Sequence, residues 1–167
     1  MVVSGEIDVI LDEKNRLTLP AQFRKEINDP VIKITRGLHK NLLLLTFDIW
    51  DKKFGDVIKA NTDFYSEADI YIMQKFVVPT REVEIDKAGR ILIPPRLLKY
   101  AGITKECVVA GMGEVLGIWD ADTYDKFNDE NDADNAAKLW FNCIYDPPRC
   151  LPCKRKTPTP QKKELGL

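Results

Sequence analysis

The stretch Asp12-Glu13-Lys14-Asn15-Arg16-Leu17-Thr18-Leu19-Pro20 decides the fold, because it returns as Asp86-Lys87-Ala88-Gly89-Arg90-Ile91-Leu92-Ile93-Pro94. The offset that carries Arg16 onto Arg90 also carries Pro20 onto Pro94, Lys25 onto Lys99, Gly37 onto Gly111, Leu42 onto Leu116 and Asp51 onto Asp125, without a gap. A constant offset over so many matches predicts a duplicated structural unit. Identity between the copies is sparse, but residue class agrees at Leu17/Ile91, Leu19/Ile93, Phe23/Leu97 and Trp50/Tyr124.

Each copy predicts a strand, a tight turn, a returning strand and a short helix. Val9 and Leu11, like Val83 and Ile85, alternate with outward positions, and Leu17/Leu19 and Ile91/Ile93 share one face of the returning strand. Asn15 and Gly89 occupy the turn slot, and these two types best tolerate a left-handed backbone. A type I turn followed by one left-handed residue closes such a hairpin. Asp12 and Asp86 open the turn, where a carboxylate accepts backbone N–H groups two residues on. Pro20 and Pro94 stop the strand, having no N–H for the ladder, and suit a helix start. Helices are expected over 21–27 and 95–101, with Phe23, Ile27, Leu97 and Leu98 inward.

The D-x-x-x-R hairpin followed by apolar-x-apolar-Pro resembles the AbrB/SpoVT group of DNA-binding swapped-hairpin barrels. Two copies in one chain, with Leu42-Leu43-Leu44-Leu45 ahead of Trp50 and Gly117-Ile118-Trp119-Asp120 in the second, resemble the MraZ family of bacterial transcriptional regulators. The resemblance runs from Gly5 to Phe127. It implies an α+β, mainly β fold in which two tandem AbrB-like units form one pseudo-symmetric barrel with flanking helices. It also implies a ring-shaped homo-oligomer, double-stranded DNA as partner, and repeated DNA boxes upstream of division and cell-wall genes. Asn15 departs from the usual glycine of the motif, and the Cys- and Pro-containing tail has no counterpart in it.

The expected organisation is a first repeat over 5–53, a bridging helical segment over 54–79, a second repeat over 80–127, a C-terminal helix over 128–146 and a basic, Pro-rich, disordered tail over 147–167. Within it, Leu42 to Leu45 reads as a buried strand. Asp48 is expected to cap a helix whose Trp50, Phe54, Val57 and Ile58 face the core. A second helix begins near Ser66, with Ile70, Met73 and Val77 at helical spacing, and stops at Pro79. Cys107 to Ala110 matches Lys33 to Arg36, and Gly111 and Gly113 flank Met112 in a hairpin turn. Ala136, Leu139, Trp140, Cys143 and Ile144 suggest the C-terminal helix.

With 44% hydrophobic and 31% charged residues, the chain has the composition of a soluble globular protein. No apolar run reaches the ~20 residues of a membrane span, and the N-terminus lacks a secretory pattern, so the expectation is cytoplasmic; the resemblance implies nucleoid association as well. The net charge of −1 disfavours nucleic acid only superficially. Asp120 to Asp134 holds seven acids against Lys126 alone, which leaves the rest of the chain net positive.

Lys14 and Arg16 in the first hairpin, with Lys87 and Arg90 in the second, are the candidate DNA-binding residues. Arginine matches a guanine edge or a phosphate with paired N–H groups, lysine supplies a point charge, and a β-hairpin can enter a major groove. The other reading is that Asp12–Arg16 and Asp86–Arg90 are ion pairs that only brace the turn; both readings can hold together. A second function class is a protein-binding or purely structural oligomer with its partner contacts in residues 128–167. Cys150-x-x-Cys153 with Cys143 is an incomplete zinc set, since a fourth ligand must come from Cys107, His39 or another chain. Gly111-x-Gly113 lacks the rest of a phosphate loop. His39 is the sole histidine and has no triad partners. We therefore expect no catalytic residues, metal, cofactor or small-molecule substrate.

Overall fold

The computed structural model describes residues 2–55, 58 and 67–131. The chain divides into two compact units, Met1–Asp125 and Lys126–Leu167. The first unit opens with strand β1 (Val3–Ile10), strand β2 (Arg16–Thr18), a single helical turn α1 (Ala21–Arg24), then strands β3 (Val31–Arg36) and β4 (Leu42–Leu45) and helix α2 (Phe47–Trp50). A π-helical turn, Asp51–Gly55, continues α2. Helix α3 (Glu67–Ile72) likewise runs on as a π-helical turn, Met73–Val77. The order then repeats: β5 (Arg81–Glu84), β6 (Arg90–Leu92), α4 (Pro95–Ala101), β7 (Glu106–Gly113) and β8 (Leu116–Asp120), followed by α5 (Ala121–Glu130).

The strands form a six-stranded antiparallel sheet in the order β1-β7-β8-β4-β3-β5, and a separate two-stranded ribbon, β2-β6. No sheet among the described residues closes on itself. Partners are exchanged between the halves. β1 pairs with β7 from Val3↔Gly113 to Ile10↔Glu106, and β5 pairs with β3 from Val31↔Glu84 to Ile34↔Arg81. In the ribbon Leu17 lies opposite Ile91. Leu17, Leu19, Ile91 and Ile93 are essentially inaccessible and join Phe23, Ile34, Leu42, Leu97, Val109 and Leu116 in one core. Each such side chain contributes about 1.5–3 kcal/mol on burial. Ile10, on the opposite face of β1, is 64% exposed.

The gapless offset fails in one strand. Ile32↔Val83 and Ile34↔Leu44 in the first half correspond to Cys107↔Val9 and Val109↔Ile118 in the second. Ile32 therefore matches Cys107 and Ile34 matches Val109, one residue further along than Lys33 to Cys107. The extra residue follows the helix. α4 is longer than α1 and ends on the left-handed Gly102, where the Ile103 N–H donates to the Leu98 carbonyl. The residue is lost again in the next hairpin, where Met112 N–H to Val115 O stands for Gly37 N–H to Asn41 O. Gly37 and Gly111 share only the numerical offset. Nor does Gly111 sit in the turn: it is inside β7, opposite Gly5. A Cβ there would lie 2.7 Å from the Ser4 backbone nitrogen, so close strand approach is what requires the glycine.

Two helix expectations also change. α2 begins after Thr46, not Asp48, and no side chain caps it. Trp50 stacks on Phe54 at 4.5 Å, and Ile58 packs on the same cluster of Leu45, Ile49 and Trp50. In α3 the expected apolar face is incomplete, since Ile70 is 45% exposed. Its chain instead contributes a backbone acceptor, the Phe76 carbonyl, to the hydroxyls of buried Thr35 and of Thr80. α1 ends at Arg24 rather than Ile27, although Ile27 is buried. Val57, Ser66, Ala136 to Ile144 and the tail lie outside the described residues.

Candidate nucleic-acid interface

Both hairpin turns are built by one aspartate. Asp12 Oδ1 accepts the N–H groups of Lys14 (2.9 Å) and Arg16 (2.8 Å), and Asp12 Oδ2 accepts Arg16 Nε at 2.7 Å. Asp86 does the same for Ala88 (2.8 Å), Arg90 N–H (2.9 Å) and Arg90 Nε (2.8 Å). Backbone bonds from Asp12 N–H to Arg16 O and from Asn15 N–H to Asp12 O complete the first turn, and Asp86–Arg90 and Gly89–Asp86 complete the second. Asn15 has φ 60° and Gly89 φ 76°, the left-handed step that lets the chain reverse. The backbone N–H of Arg16, more than its charge, holds the Asp12 carboxyl below its ordinary value, and Arg90 does so for Asp86. Each arginine is clamped through Nε. Its two terminal nitrogens make no hydrogen bond among the described residues.

The ribbon brings the two arginines onto one surface. Leu17 and Ile91 point into the core, so by strand alternation Arg16, Thr18, Arg90 and Leu92 lie on the outer face. Arg16 is opposite Leu92 and Arg90 opposite Thr18, a diagonal arrangement about the Leu17–Ile91 pair. The ribbon is extended by Leu19 N–H to Gly89 O and Ile93 N–H to Asn15 O, both 2.9 Å, so each hairpin's turn is tied to the other's strand. Asn15, Arg16, Arg81 and Arg90 line one open groove. The arginine side chains are 32% and 37% exposed, held yet accessible.

Lys14 and Lys87 are both exposed at the turn tips but are not equivalent. Lys14 aligns with Ala88, and Lys87 with Glu13. Three further residues belong to this face. Thr18 and exposed Leu92 follow from period two once the ribbon is known. Arg24 reaches from α1 to the Ala88 carbonyl of the other hairpin at 3.2 Å and lies over buried Gly89, where any Cβ would collide with its guanidinium. No local pattern marks Arg24, because its partner is 64 residues away.

No cluster of metal-ligating side chains occurs among the described residues. Cys107 is buried in the sheet, and burial, with Asp120 nearby, pushes its thiol up to about 11, so it is held protonated. Cys143, Cys150 and Cys153 lie outside the described residues. No described helix is long and apolar enough to cross a membrane.

The sequence matches the family model described as "MraZ protein, putative antitoxin-like" in two segments, residues 2–68 and 76–139. It is 38% identical over 132 residues to a protein of Treponema denticola named transcriptional regulator MraZ, an alignment that spans 79% of this chain and 91% of that relative. With two matched segments that follow the internal repeat, the chain belongs to the MraZ family.

Proposed function

We propose that the chain is a sequence-specific transcriptional regulator that binds double-stranded DNA through the outer face of the β2-β6 ribbon. The observation that carries this reading is the presence of Arg16 and Arg90, each oriented by its own aspartate, on one exposed strand pair. A two-stranded ribbon fits the major groove. There the terminal guanidinium nitrogens can bond guanine edges, and exposed Leu92 can meet a thymine methyl group. Lys14, Lys87 and Arg24 are assigned to backbone phosphates, which position without specifying. Asp12, Asn15, Asp86 and Gly89 shape the turns that aim the arginines. The name of the Treponema denticola relative supports the regulatory role.

The two halves are read as tandem AbrB-like units that share one pseudo-symmetric barrel, supported by the reciprocal strand exchange. A ring-shaped homo-oligomer would present many such ribbons to repeated boxes upstream of division and cell-wall genes, each contact weak but tethered to the next. The function places the protein at the nucleoid. The test is binding of the full chain to duplex from its own upstream region. Wild type should shift the duplex, and more tightly when the number of boxes is doubled. Arg16→Ala with Arg90→Ala should abolish the shift while the circular dichroism spectrum stays unchanged. Binding retained by that variant, or lost only on removal of residues 128–167, would overturn the reading.

A further inference from the structure

Arg36, Arg81 and Arg96 line one cavity of about 520 Å³, together with Gln74 and an apolar wall that includes Val78 and Leu97, and no acidic side chain among the described residues joins them. The volume falls in the range of small-molecule sites, roughly 300–1,000 Å³. Arg36 lies over the Tyr100 ring, its guanidinium carbon 4.8 Å from the centroid, and the Tyr100 hydroxyl donates to the Gly37 carbonyl at 2.7 Å, fixing that ring. Yet Arg36 Nε is buried and makes no hydrogen bond among the described residues. A buried cationic donor left unbonded is costly and calls for an acceptor. Arg81 is held at the same cavity by bonds from Nη1 to the carbonyls of Thr80 (2.8 Å) and Val78 (3.2 Å).

The cavity is not part of the repeated design. The offset carries Arg81 onto Ile7 and Arg96 onto Gln22, and strand pairing carries Arg36 onto Gly111. There is thus one such arginine trio among the described residues. We infer that this cavity binds a small organic anion with at least two negative charges, borne by phosphate or carboxylate groups on a partly apolar body. Guanidinium groups pair with the oxygens of either group in a two-pronged fashion. The apolar wall selects a carbon-bearing body over a bare ion.

Arg81 also lines the groove that holds Arg16 and Arg90, so the test must separate the two sites. The full chain is titrated calorimetrically, at fixed ionic strength, with citrate and AMP, with pyrophosphate as the bare polyanion and potassium chloride as control. Citrate or AMP should saturate at one per chain and bind more tightly than pyrophosphate; saturation by pyrophosphate alone overturns the inference. Arg96→Gln and Arg36→Gln should each weaken that binding about tenfold or more, the scale of one charge-assisted hydrogen bond. Arg16→Ala with Arg90→Ala should leave it unchanged. Arg96 is exposed, so its variant carries the test should Arg36→Gln fail to fold. The inference is overturned if no probe saturates, if binding survives both cavity variants, or if it disappears with the ribbon arginines. That last result would place the anion on the DNA face.

Discussion

Asp12 and Asp86 each use both carboxylate oxygens within four residues of chain, which is why the D-x-x-x-R spacing could be read without a fold. The two proposed roles of the arginines, bracing the turn and reaching outward, are compatible because the brace takes only Nε. Acid should loosen both turns together. The folded carboxyls titrate below their ordinary value of 3.8, so their contribution is complete above that pH and is lost as pH falls through the lowered value. The melting temperature of wild type should therefore drop more steeply below pH 3.8 than that of Asp12→Asn with Asp86→Asn, whose side chains no longer titrate. Equal slopes would contradict this. What local spacing could not disclose was Arg24, whose carbonyl partner belongs to the other hairpin, or the cavity around Arg36, whose lining comes from three separate stretches, 36, 74–81 and 94–97.

Among elements, β7 shows where sequence reading succeeded and where it slipped. Its apolar run was legible as a strand, and the twin motif located its counterpart. Its register was not legible, because a residue gained after α4 and lost in the following hairpin leaves both flanks in step while the strand between is displaced. Only the strand pairing, which puts Cys107 in the place of Ile32, reveals the shift. Gly5 and Gly111 face each other in the β1–β7 register. Gly111→Ala should cost about 1–3 kcal/mol through overpacking against the Ser4 backbone, read from denaturant midpoints. Gly102→Asn, at φ 69° with nothing within 4 Å of a new Cβ, should cost well under half as much. A reversed order would mean that β1 and β7 are not this close.

For the whole molecule, the exchange of β1 for β5 makes each half depend on the other. Residues 1–79 expressed alone lack the partner of β1 and the strand opposite Leu17. They should be unfolded or dimeric in sedimentation, never a folded monomer, and should regain structure when mixed with the second half; a folded monomeric half would refute the exchange. Leu17→Ala and Ile91→Ala, at the contact between the halves, should each cost about 2–5 kcal/mol. Their sum should differ from the double variant, because the two side chains face each other. The same contact sets Arg16 and Arg90 on one surface, which is the claim on which the functional proposal rests. The most direct measurement is the dependence of duplex affinity on salt. The logarithm of the binding constant should fall steeply with the logarithm of salt concentration for wild type. For Arg16→Lys with Arg90→Lys, which keep the charge but lose the two-pronged geometry, that slope should persist while discrimination between boxed and scrambled duplex falls by about tenfold or more. A flat salt dependence in wild type, or full discrimination in the lysine variant, would contradict the account.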